Sequence, residues 1–498
     1  MLVSAVLLTV VILSNLVLTT GRSIVASFIG RTRELAQLDD QLGIVRRGGR
    51  DASGVAVLIR GRRRIGKSRL AEVFAERSGL PYLVFQAARS STPERAYADL
   101  AASIAASSLP NAVIAAGQEP RSLTAALALL AGALPTDQPA VVVLDEIPWL
   151  LEVVPGGAGE LQRVWDQLLS RRPVLLLLLG SDLAMMEQLT KPDQPFHGRG
   201  TEIILQALTP GDIGSMTGLA GMDAFDAYLI TGGQPQIAET WQEGETRTSF
   251  FERSFSTSLS ALVASGTRVL DGELPEGVQA RTVLTAIGGY GERTFSGIQQ
   301  ATGGMQAASL SRALDLLTTK RIVAVDQPLS TKAQKEPRYR IDDPALRFWL
   351  PFVEPALPEV DRGRGDLALA RVSDDAYGSW RGRAIEPVVR ASMWRVLVGT
   401  PWAHVSEIGG WWPRSNNPEI DLVGADRRPA RELAFVGTIK WRPTPVTAAD
   451  VRKLSTDAAS IPGYETGTPL VAVCPGGVTD NAGVEQAWTA DDLLDALR

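Results

Sequence analysis

Four short apolar runs punctuate the first part of the chain, at residues 55–59, 82–85, 141–144 and 174–179. Each is rich in Val, Leu or Ile and is bounded by turn residues, the pattern of a strand buried on both faces. Ala/Leu-rich stretches of helical character separate them. Strands alternating with helices predict a parallel sheet covered on both sides, an α/β fold. Ahead of the first run, Leu35, Leu38 and Leu42 recur at helical spacing. A strand-like stretch at 202–205 comes after the last run. Residues 205–276 then read as mostly helical, interrupted by a Gly232-Gly233-Gln234-Pro235 turn. From 278 to about 355 the pattern becomes short helices and a hairpin: 281–287, a start at Thr294, the stripe Leu310, Leu314 and Leu317, then 322–325 against 338–341. Beyond 362 tryptophan becomes frequent and strand-like runs return, after an Asp-Arg-Gly-Arg-Gly linker at 361–365.

These shifts divide the 498 residues into five stretches. They are an apolar leader at 1–26, a sheet-based core at 27–204, a helical lid subdomain at 205–276, a winged-helix domain at 277–360 and a small α/β domain at 361–498. Residues 1–20 carry no charged side chain, long enough to span a bilayer. A dispensable leader, a membrane anchor and a packed helix all stay open for this stretch. Arg22, Arg31 and Arg33 come directly after it, so an anchor would leave the remainder in the cytosol. The expected location is cytoplasmic, with membrane contact only if that leader is real.

Composition narrows the chemistry. The net charge of −5 excludes a general polyanion-binding surface, so nucleic-acid contact would need a local basic patch. Cys474 is the single cysteine, which excludes an internal disulfide and a cysteine zinc cluster. His197 and His404 are the only histidines, which argues against a histidine metal centre.

Residues 61–68 read Gly-Arg-Arg-Arg-Ile-Gly-Lys-Ser, the P-loop spacing. Its glycines allow successive amides to surround a phosphate, and the next helix turns its positive end to the anion. Gly61, Arg62, Arg63, Arg64, Ile65, Gly66, Lys67, Ser68 and Arg69 are therefore the expected ATP-binding residues. Lys67 would reach the β and γ phosphates and Ser68 would ligate Mg2+. At 141–146, Val-Val-Val-Leu-Asp-Glu places two acids at a strand's C-terminal end, where parallel sheets bind ligands. Asp145 is the expected second metal residue, and Glu146 the base that activates water. Ser181, after the next run, would sense the γ phosphate or place the water, and Asp182 would cap a helix. Arg199, in Pro-Phe-His-Gly-Arg, is the expected source of transition-state charge, the alternative being a surface ion pair.

In this order, the Phe28-Ile29-Gly30-Arg31 opening, the arginine-rich P-loop, the Leu-Asp-Glu strand end, Leu-Gly-Ser, Phe-His-Gly-Arg and Gly-Gly-Gln-Pro resemble the archaeal-type ATPases. This is an AAA-like, STAND-like branch of P-loop proteins also found in bacteria. The resemblance runs from about residue 27 to the end. It implies a P-loop NTPase sheet with a helical subdomain, then a winged helix, then a domain of unknown function related to restriction-type nucleases. It also implies that Gly232, Gly233 and Pro235 form a conformational turn near the nucleotide.

The downstream residues refine those expectations. Arg312, Lys320, Arg321, Lys332 and Lys335 offer phosphate contacts on the winged helix, so DNA is a candidate partner. A protein partner or a second copy of the chain is the alternative. A restriction-type site needs an acid and then acid-x-Lys. Here Glu386 and Asp421 are present with Lys440, but Thr438 stands where an acid is required. Glu419 lies two residues from Asp421 and is a candidate replacement. The tail is expected to be non-catalytic, and Trp411 and Trp412 either pack the core or stack on bases. The expected activity is Mg2+-dependent ATP hydrolysis used as a conformational switch. The alternatives are an ATP-dependent DNA-cleaving enzyme and an ATP-gated regulator with negligible turnover.

Overall fold

In a computed structural model, the described residues are 28–48, 53–89, 91–192, 194, 196–274, 279–334 and 336–497. The apolar leader at 1–26 and Lys335 lie outside them. The chain divides into Met1–Gly30 and a compact body, Arg31–Arg498. Among the described residues no helix is long and apolar enough to cross a membrane.

The first sheet arises from the apolar runs. β1 (Val55–Arg60), β2 (Tyr82–Gln86), β3 (Ala140–Asp145), β4 (Val174–Gly180) and β5 (Gly200–Ile204) form it. All pairings are parallel and the order is β2-β3-β4-β1-β5. Every residue of β3 and β4 is buried, which is why their sequences run apolar without alternation. This is the P-loop NTPase sheet. Its order matters for function because β4 lies between β3 and β1. The C-terminal tips of these three strands therefore stand side by side.

Among the described residues, the segment expected to be a lid has the helices Pro210–Thr217, Gly221–Thr231, Pro235–Ala238, Arg247–Phe255 and Ala261–Glu273. The segment expected to be a winged helix has the helices Ala280–Ile287, Phe295–Ala301 and Ala307–Thr319. With them comes an antiparallel sheet of β6 (Arg293–Thr294), β7 (Val323–Asp326) and β8 (Arg338–Ile341), ordered β6-β8-β7. The C-terminal part carries the long helix Asp374–Val396 and a mixed sheet. Its strands are β9 (Glu407–Trp411), β10 (Ile420–Ala425), β11 (Leu433–Ile439), β12 (Leu470–Val473) and β13 (Gln486–Trp488), in the order β13-β12-β11-β10-β9.

One apolar cluster runs from Leu208 in the lid through Trp349 and Trp380 to Leu494 near the C-terminus. The lid, the winged-helix segment and the tail thus share a core. The stretch at 361–365 is not an open linker. Gly365 begins a helix, and a Cβ there would lie 2.6 Å from the Phe255 carbonyl oxygen. The last helix, Ala490–Leu497, returns to the lid, its Leu497 Cβ 3.4 Å from a Cβ built on Gly211.

Gly266 shows how closely the lid packs on the segment containing Trp349. A Cβ on this glycine would lie 2.1 Å from the ring of that buried tryptophan. Gly266→Ala is expected to lower Tm by several degrees, since overpacking costs about 1–3 kcal/mol. Gly378 sits inside the helix Asp374–Val396 with open space where its Cβ would be. Gly378→Ala is expected to hold or raise Tm, by up to about 1 kcal/mol of stability. Thermal unfolding of the two variants beside the parent checks both.

Candidate nucleotide site

β1 delivers the chain to Gly61 at the sheet edge. A Cβ there would lie 2.5 Å from Ile65 Cδ1 and 2.6 Å from the Leu205 carbonyl oxygen, so the position admits no side chain. The loop passes through left-handed backbone at Arg64 (φ 66°) and Gly66 (φ 91°) before the helix Lys67–Arg77 begins. The first amides of that helix face back into the loop, the arrangement that binds an anion. Arg31 Nη2 donates to the Ile65 carbonyl at 2.8 Å and fixes the loop from below. Lys67 is buried, and its Nζ donates to the Gly61 and Arg62 carbonyls at 2.8 and 2.9 Å.

The acids meet this loop from β3. Asp145 is buried; its Oδ2 accepts from Ser68 Oγ at 2.6 Å and its Oδ1 from the Glu146 amide at 2.8 Å. Glu146 sits at φ 50°, a left-handed conformation costing a non-glycine residue about 1 kcal/mol. The turn carries its carboxylate to Ser181, whose Oγ donates to Glu146 Oε2 at 3.0 Å. Ser68, Asp145, Glu146 and Ser181 thus form one hydrogen-bonded series across three neighbouring strand tips. Gln86 was not anticipated. It ends β2 opposite Asp145, with its Nε2 3.5 Å from Asp145 Oδ2. A polar residue closing an apolar run was its only signal.

Ser68 and Asp145 fit Mg2+, which takes one or two protein oxygens and fills its remaining positions with water and substrate phosphates. Among the described residues no group of three or more His, Cys, Asp or Glu could hold a metal.

Other predicted residues stand elsewhere. Arg199 does not reach this site within its own chain. It precedes β5, whose Gly200 aligns with Ala56 at the start of β1, so it lies at the opposite edge of the sheet, roughly 15 Å away. There its Nε and Nη2 meet Asp166 at 2.8 and 3.0 Å. The hydrogen bond from Arg199 holds the Asp166 carboxyl below its usual range. The P-loop arginines also turn away from the phosphate cradle. Arg62 pairs with Asp343, Arg64 Nη1 donates to the Ser265 carbonyl at 3.3 Å, and Arg63 lies over the Trp149 ring at 5.8 Å and against Gly272. Arg69 is half-exposed beside Glu72, 3.6 Å away.

The Gly232–Pro235 turn does adjoin the loop. Pro235 Cγ is 3.7 Å from a Cβ built on Gly66, and Gly232 (φ 63°) would place a Cβ 2.2 Å from the Ala345 amide. Lys320 and Arg321, expected to face DNA, instead line small cavities shared with Arg62 and Arg63; the one at Lys320 also touches Ser181.

In the tail, Asp421 Oδ2 accepts from Thr438 Oγ1 and the Ile439 amide, both at 2.9 Å, with Lys440 Nζ at 3.7 Å. Thr438 therefore occupies the acid's position and satisfies Asp421 directly. Glu419, the candidate replacement acid, has its two oxygens held by Arg338 and Arg383 at 2.5 and 3.0 Å. Burial pushes the Glu386 carboxyl up to about 7, opposed by Arg390 at 3.2 Å. Trp411 and Trp412 are both buried, with Arg338 over the Trp412 ring at 4.2 Å.

Residues 349–454 match the DUF234 family, described as archaea bacterial proteins of unknown function. The match covers about a fifth of the chain. An uncharacterized protein of Methanocaldococcus jannaschii is 23% identical over 335 residues, 64% of this chain and 70% of that one. Among solved structures, a Walker-type ATPase of Pyrococcus abyssi has a TM-score of 0.46 at 17% identity, covering 66% of this chain and 97% of that one. The Aeropyrum pernix ORC2 protein, solved as ADPNP-ADP complexes, has a TM-score of 0.40 at 15% identity, covering 69% and 95%. A five-stranded parallel sheet that carries the P-loop sequence and a C-terminal DUF234 match thus stand in one chain, in the order that the archaeal-type ATPase resemblance implies.

Proposed function

We propose that this protein binds ATP with Mg2+ in the Gly61–Ser68 loop, hydrolyses it, and uses the γ phosphate to shift the lid against the winged helix and the tail. The carrying observation is the hydrogen-bonded series Ser68–Asp145–Glu146–Ser181 lying beside the buried Lys67. A triphosphate would draw Lys67 Nζ from the loop carbonyls and replace them with phosphate oxygens. Mg2+ held by Ser68 and Asp145 would neutralise phosphate charge. Glu146, oriented by Ser181, is the base for the attacking water. Arg62, Arg63 and Lys320 are the cations lining the space next to Ser181.

The switch reading rests on where the P-loop arginines go. Arg62 contributes a carbonyl to Lys67 and a guanidinium to Asp343. Asp343 in turn caps the helix Pro344–Phe348, accepting from the Leu346 amide at 2.7 Å. A displacement of Lys67 is therefore felt two contacts away, in the segment beyond the lid. The tail is proposed as a non-catalytic module, on the pairing of Thr438 with Asp421. DNA at the winged helix stays a proposal for Arg312 and Lys332 alone among the described predicted cations, since Lys320 and Arg321 line cavities near the P-loop.

Two variants test the chemistry. Lys67→Ala is expected to weaken ATP binding at least about tenfold, from the loss of a charge-assisted contact. Glu146→Gln is expected to keep ATP affinity within about threefold while turnover falls about a hundredfold or more. Unchanged phosphate release in Glu146→Gln would remove that residue as base. Negligible turnover by the parent chain would favour the gated-regulator reading.

The Arg62–Asp343 pair is tested by a double-mutant cycle. Arg62→Gln and Asp343→Asn, the latter keeping a good helix cap, are each expected to tighten ATP binding about threefold or more. The double variant should match either single one. Strictly additive effects would show that the pair does not link loop and helix.

A further inference from the structure

Away from the nucleotide site, a cavity of about 440 Å³ lies where the lid, β8 and the long helix Asp374–Val396 meet. A second, of about 300 Å³, shares Arg340, Pro387, Ala391 and Trp394 with it, so the two form one crevice. Arg347 lines the larger cavity and is buried to 5% exposure. Its position has a local cause. Pro387, inside the long helix, has no amide to give the carbonyl of Arg383 four residues back. Arg347 Nη2 takes that carbonyl at 2.9 Å.

A neutral donor would serve a single carbonyl equally well, so a buried cation there is excess to the helix's need. Arg347 Nε has no hydrogen-bond partner among the described residues. Burial first, and then the like charge of Arg340, bring its pKa down to about 10, only partly offset by the Glu292, Glu386 and Asp326 carboxylates. Arg340 is already committed, to Asp326 at 2.7 Å and Asp342 at 2.6 Å. Arg395, at the same cavity, enters no ion pair among the described residues. Trp394 lies in the shared wall and is 47% exposed. The crevice therefore combines a buried guanidinium with an unpartnered Nε, a second guanidinium outside any ion pair among the described residues and a partly exposed tryptophan, beside the Asp342 carboxylate, in a volume typical of small-ligand sites.

We propose that this crevice is a second ligand site, distinct from the P-loop, for a small organic anion with a planar ring, of the nucleoside monophosphate class. Its phosphate meets Arg347 and Arg395, and its base stacks on Trp394. The volume suits a mononucleotide and is too small for a duplex.

The test uses the full chain carrying Lys67→Ala, which weakens the first site, titrated calorimetrically with AMP, GMP, CMP and UMP. Adenosine and inorganic phosphate are the controls. At least one monophosphate is expected to bind at one site per chain with Kd below about 1 mM, more tightly than either control. Arg395→Ala and Trp394→Ala, both at exposed positions, should each weaken it about tenfold. Arg347→Gln, which keeps a neutral donor for the Arg383 carbonyl, should weaken binding at least about tenfold with Tm unchanged, whereas a purely structural Arg347 would leave monophosphate affinity unchanged in that variant and in the other two. The proposal is overturned if no monophosphate binds, if adenosine binds as tightly, or if neither Arg395→Ala nor Trp394→Ala weakens binding. Should Arg347→Gln fail to fold, the two exposed variants decide it alone.

Discussion

The contact between Ser68 Oγ and Asp145 Oδ2, at 2.6 Å, organises the rest of the candidate nucleotide site. It joins the helix that carries the P-loop lysine to the strand that carries the acids. A buried carboxylate needs partners, and here the hydroxyl and the Glu146 amide supply them. That requirement sets the turn at Glu146, and the turn delivers Glu146 to Ser181. Three strand tips are tied into one surface because one carboxylate is buried among them.

The arginines of the P-loop give this surface a reach beyond the sheet. Loop backbone and loop side chains divide the work. Amides and Lys67 face the phosphate cradle, while Arg62, Arg63 and Arg64 grip Asp343, the Gly272 face and the Ser265 carbonyl. The lid and the segment after it share an apolar core with the tail, so a shift at either contact is carried by packed elements. Gly232 and Gly266 allow those elements to come within a Cβ radius of each other.

Much of this was legible in the sequence. The four apolar runs became strands because only buried parallel strands tolerate uninterrupted Val and Leu, and 338–341 became a strand at the expected limits. Lys67, Ser68, Asp145, Glu146 and Ser181 converge because parallel strands present their C-terminal ends together. Arg199 did not join them, although strand direction carried the warning: a residue just before a parallel strand lies at the edge away from the ligands. The side-chain directions of Arg62, Arg63 and Arg64 were not legible, because their partners lie about 90 to 280 residues away. Spacing within the loop says nothing about such contacts. The ion pair that Glu419 makes was hidden for the same reason, since Arg338 arrives from another sheet.

Calorimetric titration of the parent chain with a non-hydrolysable ATP analogue, with and without Mg2+, tests the central claim most directly. One site per chain, with Kd in or below the micromolar range and clearly weakened by chelation of Mg2+, is the predicted result. No heat at about 1 mM analogue, or binding indifferent to Mg2+, would contradict it.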